Sequence, residues 1–379
     1  MRLLTAKNVI SGCDSLAKTI KIACVGDIMC GDSFYAVGHG VASVLERQRE
    51  EFLPAEIADF LRSHDMVIGN IECALSDIGR RDGKLRSIQM RGRPECARYL
   101  ADWGITVASV ANNHILEHGR EAACDTVKHL HKAGMKTIGS GRDGTFQRGI
   151  QVAQVEFSER MIALIGICFR REKYAFNGGT DLAEAVETIK TLFKENQLVI
   201  VSVHWGDEFI DRPSIEQRRI AQEFINAGAT LVVGHHPHVV QGIENLNGRL
   251  VAYSLGNFIF DSFLEDTKWS IILSVEVSGN DIVGWKYFPI ARNGEHRPFF
   301  AVGDRKDELT KEVERRCALL NTETPTMLYE EKYRSELTAL DNSARRKLRS
   351  QLLTKAIRIN PIFWPQILYR PVRRRLGKW

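Results

Sequence analysis

Residues 231–242 read LVVGHHPHVVQG: an aliphatic run, a glycine, and then His235, His236 and His238 within four positions. The run is short, rich in β-branched residues and stopped by glycine, so it reads as a buried parallel strand. Only 11 histidines occur in 379 residues, and three of them at one strand end require a chemical reason. Side chains i and i+2 share a face of an extended chain. His236 and His238 are therefore expected on one side, with His235 turned away as a supporting or structural group.

Working outward, four more stretches have the same character: KIACVGD (21–27), MVIGNIE (66–72), ITVASVANNH (105–114) and LVIVSVHWGDE (198–208). Between them PAEIADFLRS, PECARYLADWG, GREAACDTVKHLHKAG and SIEQRRIAQEFINAG show helical periodicity, with Pro or Ser at starts and Gly at ends. Alternating strands and helices imply βα units and a layered α/β fold. After residue 245, GRLVAYSLGNFIFD and WSIILSVEVSGNDIVGWKYFPI read as strands joined by short turns, an antiparallel section that completes a mixed sheet. The division expected is a domain over 1–300 and a basic, mostly helical extension over 301–379, interrupted by Pro361, Pro365 and Pro371.

Composition limits the alternatives. The chain is 44% hydrophobic and long enough to bury a sizeable core. Its eight cysteines, at 13, 24, 30, 73, 96, 124, 168 and 317, form no CxxC pair and sit mostly among aliphatic residues. They read as reduced thiols, which suits a reducing compartment. No run approaches the about 18 apolar residues a bilayer span needs, and the first residues hold no continuous apolar stretch of the signal-peptide kind. A cytoplasmic protein is expected. Residues 301–379 hold 18 Lys/Arg against 10 Asp/Glu, a net +8 within an overall +5, so the basic character belongs to the extension. No recognition motif accompanies that charge, and no specific nucleic acid is expected.

In open α/β sheets ligands bind beyond the carboxyl ends of the strands. Asp27 follows the first strand, Asn70 and Glu72 close the second, Asn112, Asn113 and His114 end the third, His204 ends the fourth, and the histidine trio ends the fifth. Singly each has a plainer explanation. Asp27 suits a turn, ANNH a helix cap, and His204 an ordinary core histidine. Five strand ends carrying this chemistry together point to a metal centre, and a set of imidazoles and carboxylates favours Zn, Mn, Fe or Ni.

These blocks, VGDIM, GNIECAL, VASVANNHILEHG, VIVSVHWGDEF, VVGHHPHVVQG and VAYSLGNFIFD, resemble the CapA family of poly-γ-glutamate capsule-synthesis proteins. That family is itself similar to the calcineurin-like metallophosphoesterases. The resemblance covers about residues 20–262. It implies a four-layer α/β sandwich with two mixed sheets and a two-metal site of Mn, Fe or Zn. By resemblance Asp27, Asn113, His204, His236 and His238 take the metal-ligand positions, and His114 that of the histidine assisting the leaving group. The superfamily's first-block histidine is replaced by Met29 and its bridging aspartate by Asn70, leaving Glu72, two positions on, as the candidate bridge. The usual Gly-His-x-His becomes Gly-His-His-Pro-His.

The function this implies is a metal-dependent hydrolase or transferase acting on a phosphoryl or γ-amide bond of an anionic polymer, or of a phosphorylated or γ-glutamyl precursor. The alternative class is a metal-stabilised assembly or binding subunit of a synthesis or export complex. Arg91 and Arg93 of the 83–95 loop and Arg171 of the 170–181 loop are candidate anion-binding residues, since guanidinium forks suit phosphate and carboxylate. Asn70, Asn112, Asp207, Glu208, His235 and Asn257 are candidates to support the ligands from behind. The stretch 342–379 interleaves Arg and Lys with Leu, Ile, Phe, Trp and Tyr. Two roles stay open for it: peripheral contact with an anionic membrane surface, or packing on the domain through Phe363, Trp364 and Tyr369.

Overall fold

In order along the chain the strands are β1 (Ile20–Ile28), β2 (Met66–Ile71), β3 (Ala74–Leu75), β4 (Arg91–Gly92), β5 (Val107–Ser109), β6 (Lys136–Ile138), β7 (Val152–Phe157) and β8 (Arg160–Cys168). They continue as β9 (Leu198–His204), β10 (Leu231–His235), β11 (Ile243–Leu246), β12 (Arg249–Ala252), β13 (Asn257–Ile259), β14 (Trp269–Ser278), β15 (Asp281–Arg292) and β16 (Pro298–Phe300). The structure, a computed structural model, describes residues 19–367 except 50, 142, 147–148, 158–159, 173–174, 176–180, 196, 322–325, 355–358 and 360. Cys13, Tyr369, Pro371 and most of the 173–180 part of the second arginine loop therefore lie outside the described residues.

Two mixed sheets form. The first has the order β16-β15-β14-β1-β2-β5-β6, with β13 also pairing with β1; β1, β2, β5 and β6 run parallel, and β14 to β16 add the antiparallel section. The second has the order β11-β12-β10-β9-β8-β7, parallel from β12 to β8 with antiparallel edges. The five strands expected from sequence are thus shared between sheets, three in the first and two in the second. The third is short: beyond Ser109 the chain leaves the sheet, because Asn112 Oδ1 accepts from the backbone of His114 at 3.1 Å and Ile115 at 3.0 Å and bends it into a turn.

Side-chain alternation builds the layers. Ile22 and Cys24 of β1, Ile68 of β2, Leu198 and Ile200 of β9, and Leu231 and Val233 of β10 share one core between the sheets. Their neighbours Ala23, Val25 and Val67 face a second core on the outer side of the first sheet. There they meet α1 (Val41–Arg47), α2 (Ala55–Arg62), α4 (Cys96–Asp102) and α5 (Arg120–Lys132); a short α3 (Leu85–Ile88) lies between α2 and α4 in sequence. Val199, Val201, Val203 and Val232 face a third core under α6 (Leu182–Lys194) and α7 (Ile215–Ala227). Helix, sheet, sheet, helix is the four-layer sandwich. Each fully buried aliphatic side chain in these cores contributes about 1.5–3 kcal/mol. The Ser and Gly signals of SIEQRRIAQEFINAG act as expected: Ser214 and Gln217 form a reciprocal capping box, and Gly228 ends α7 at φ 113°.

The extension is tied to the domain at several points. Leu309 and Val313 of α8 (Gly303–Ala318) enter the core between the sheets, so that core crosses residue 300. Buried Arg316 donates to Val240 O at 2.6 Å and stacks over Trp269. From α9 (Thr326–Thr354), Tyr333 donates to Asp207 Oδ2 at 3.0 Å and Glu336 pairs with Arg212 at 2.6 Å. Farther on, Ile359, Phe363 and Ile367 pack on Val37 and Leu85, with Trp364 against the same cluster. Within the stretch 342–379, then, Ile359, Phe363, Trp364 and Ile367 pack on the domain. Among the described residues no helix is long and apolar enough to cross a membrane.

Candidate metal centre

The strand registers assemble the site. Asp27 lies opposite Asn70 on β2 and Asn257 on β13, and His204 lies opposite His235 across β9 and β10. The β1–β2 register shifts between Cys24 and Asp27, an irregularity of the kind that re-aims a side chain near an active site. Gly26 makes the close approach of β13 possible, since a Cβ there would fall 1.9 Å from Gly256 O.

Beyond β10 the structure departs from the expected extended geometry. The strand stops at His235, and His236 and His238 adopt φ of 97° and 60°. A non-glycine residue in this region stores strain that its surroundings must offset. Here His236 N donates to Asp27 Oδ2 at 3.3 Å, Phe209 N donates to Pro237 O at 2.8 Å, and His238 Nδ1 lies 2.9 Å from Asn257 Oδ1. Because the chain coils, all three imidazoles reach the site. His235 is not turned away: its Nδ1 is 3.1 Å from Asp27 Oδ1.

Asn70 Nδ2 donates to Asp27 Oδ1 at 2.9 Å and Glu72 Oε2 at 3.2 Å, and Asn112 Nδ2 donates to Asn70 Oδ1 at 3.2 Å and Ile71 O at 2.8 Å. His204 Nε2 is 2.9 Å from Asn113 Oδ1 and 3.8 Å from Glu72 Oε1. His238 Nε2 is 3.7 Å from the same Glu72 oxygen, and its Nδ1 is 3.4 Å from Asp27 Oδ2. Asp27, Asn70, Glu72, Asn112, Asn113, His204, His235, His236, His238 and Asn257 are all buried.

Burial and neighbouring charge push these groups apart. Burial opposes ionisation of Asp27, but His235 and His238 outweigh it and hold the carboxyl well below its usual range. Burial and then the Asp27 charge push Glu72 well above its usual range. His204 and His236 fall well below theirs, chiefly through burial. Burial lowers His238 too, but Glu72 and Asp27 overcome it and raise it to about 10. A carboxylate and neutral imidazoles are the forms that bind a divalent cation, so loading this site is coupled to proton release.

The residues present fit such a cation. Glu72 Oε1, both ring nitrogens of His236 and His235 Nε2 are buried without a hydrogen-bond partner, an arrangement that is costly unless something else satisfies them. Among the described residues two ligand groups lie within coordinating reach: Asp27, Glu72 and His204, and Glu72, His236 and His238, the candidate atoms of each within 4.8 Å of one another. Glu72 belongs to both. A mixed nitrogen and oxygen set of this kind suits Zn, Mn or Fe.

Not every residue singled out from sequence reaches the centre. Arg91 is buried but donates to the backbone carbonyls of Ser87 and Ile78, and Arg93 pairs with Glu46 at the surface. Arg171 is exposed, whereas its neighbour Arg170 is half-buried, bonds Gly206 O and Glu172, and depresses His236 by its charge. Asp207 accepts from Tyr333 and lies 3.6 Å from Arg170 rather than bonding His204, and Glu208 is exposed. His114 is partly exposed beside Asn113, with Nδ1 2.9 Å from Glu117 Oε2. Sequence reasoning does not single out Glu117 or its partner Gln89; a His and Glu three apart before a helix is the available signal.

Fold and site together define an α/β sandwich protein with a candidate metal centre at the meeting of two sheet edges. Residues 21–262 match the family described as bacterial capsule synthesis protein PGA_cap, and the chain belongs to that family. It is 28% identical over 305 residues to the capsule biosynthesis protein CapA of Bacillus anthracis, covering 76% of this chain and 72% of that one. It is also 28% identical to the PGA biosynthesis protein CapA of Bacillus subtilis strain 168, covering 70% of each. Similar solved structures include a phosphatase from Mycoplasma pneumoniae, at 14% identity and TM-score 0.45, covering 73% of this chain and 95% of that one. A hypothetical protein from Thermus thermophilus matches at 16% identity and TM-score 0.45, covering 71% of this chain and 98% of that one.

Proposed function

We propose that this capsule-synthesis family member is a metal-dependent hydrolase or transferase acting on a phosphoryl or γ-amide bond of an anionic cell-surface polymer or its precursor. The observation that carries the reading is Glu72, a fully buried carboxylate whose unpartnered Oε1 belongs to two adjacent ligand groups. On this reading Asp27, Glu72, Asn113 and His204 hold one divalent cation, and Glu72, His236 and His238 hold a second. Bound cations of this class supply Lewis acidity and a water that ionises near neutral pH.

The chain's own groups do the rest. Asn70 and Asn112 orient the carboxylates and Asn257 orients His238. Phe209 and Phe260 flank the His238 ring and limit water around it. His114 Nε2 takes the proton released by the attacking water and passes it to the leaving oxygen or nitrogen. The cytoplasm is the compartment this reading expects, where buried thiols such as Cys24, Cys30 and Cys73 stay reduced. Hydrolysis of bis(p-nitrophenyl) phosphate and of γ-glutamyl p-nitroanilide by Mn-, Fe- and Zn-loaded protein tests the proposal. Turnover lost in His114→Ala with metal retained supports an enzyme, and no turnover of either substrate class with any metal counts against one.

A further inference from the structure

We propose that Glu117, oriented by Gln89, is the positioning residue that fixes the tautomer and ring orientation of His114 at the metal edge. The proposal rests on the reading of His114 as the group that takes a proton on Nε2 and passes it to the leaving atom. A turn closed by Glu117 N donating to His114 O at 2.9 Å folds the glutamate back onto its own histidine. Oε2 then lies 2.9 Å from His114 Nδ1, and Oε1 accepts from Gln89 Nε2 at 2.9 Å. The glutamate side chain is only 11% exposed. An exposed pair of this spacing would orient little, but here both carboxylate oxygens are engaged.

Gln89 is itself held. It bridges to Asp32, its backbone N donates to Leu85 O at 3.0 Å, and its carbonyl lies 2.9 Å from His118 Nε2. Asn112 Oδ1 fixes the backbone on the other side through His114 N and Ile115 N. With Nδ1–H donated to Glu117, the nitrogen left to face a ligand is Nε2. The direction of the Gln89 bond makes the arrangement testable. In Glu117→Gln the amide oxygen stays with the Gln89 donor, so the amide NH2 turns to His114 Nδ1 and selects the opposite tautomer without changing shape.

The experiment is nitrogen-15 NMR of the His114 ring in zinc-loaded, full-length protein at one pH, for wild type, Glu117→Gln and Glu117→Asp. Zinc content and bis(p-nitrophenyl) phosphate hydrolysis are measured alongside. The proposal expects Nδ1–H in wild type and Nε2–H in Glu117→Gln. It also expects kcat to fall by ~10²–10⁴ with zinc content unchanged and part of the rate restored by Glu117→Asp. An unchanged tautomer in Glu117→Gln, or zinc lost in parallel with rate, overturns it. If the tautomer inverts but wild type hydrolyses nothing, Glu117 keeps its assignment and the hydrolase reading falls. If wild type turns over while Glu117→Gln keeps both tautomer and rate, the reverse holds.

Discussion

Asn70 donates to Asp27 Oδ1 at 2.9 Å, and the same amide nitrogen is 3.2 Å from Glu72 Oε2. One neutral side chain thus bridges two buried carboxylates, at the position where the resemblance to metallophosphoesterases implies an aspartate. Asn70→Asp removes the donor and adds a third negative charge. Without metal the variant should be destabilised by several kcal/mol, on the order of 3. Added Mn or Zn should raise its Tm by more than it raises that of wild type. Thermal melts with and without metal measure both, and equal metal-induced shifts would show that residue 70 does not feel the cation.

Gly234 precedes the histidines on β10. A Cβ there would meet Tyr253 O at 1.9 Å and Trp205 Nε1 at 2.6 Å, and that carbonyl and indole already bond each other at 3.0 Å. Gly234→Ala must push backbone against backbone. A loss above about 3 kcal/mol is expected in urea unfolding, with metal content reduced as well.

Arg212 is 7% exposed and its main partner is Glu336 of α9 at 2.6 Å, with Asp211 only at 3.9 Å. Glu336→Ala leaves a largely buried guanidinium short of its acceptor, a loss of about 1–3 kcal/mol. Glu216→Ala breaks a 2.8 Å contact to Arg219 whose members are 64% and 51% exposed, and should cost no more than about 0.5 kcal/mol. Denaturation midpoints compare the two.

Asp261 accepts from Ser33 N at 2.7 Å and from Ser33 Oγ. Burial and then Asp32 push its carboxyl up to about 7, against the opposing pull of Ser33 and Arg292. The folded protein therefore holds this proton more tightly than the unfolded chain does. The contribution is fully present below about pH 4 and is lost as pH rises toward about 7, at up to about 1.4 kcal/mol per unit. Relative to wild type, Asp261→Asn should gain stability across that window, as melts from pH 4 to pH 8 would record. A constant difference would show that the carboxyl titrates normally.

Much of the fold and site is legible because apolar runs ending in a polar residue announce both a strand and a site. That pattern marks β1 with Asp27, β2 with Asn70 and β9 with His204. By the same token it passes over β8, which is as aliphatic as β9 but ends at Cys168, while β6 has only three residues and β7 no clean alternation. The orientation of His235 differs from expectation because a period of two holds only while the chain stays extended, and the positive φ of His236 and His238 ends it. Arg170 and Arg171 are adjacent and chemically alike, and only the fold half-buries the first beside Gly206. Glu117 is hidden in the sequence because its value depends on Gln89, 28 positions away.

Sharing of Glu72 between two cation sites is measurable as metal content per chain. Wild type, Glu72→Gln and the double variant His236→Ala, His238→Ala would be loaded with Mn, Fe or Zn, desalted and measured by elemental analysis. Near two equivalents are expected in wild type, at most one in the histidine variant, and a loss from both positions in Glu72→Gln. Two equivalents retained in Glu72→Gln at unchanged affinity, or no bound metal in wild type after loading, would contradict a shared Glu72.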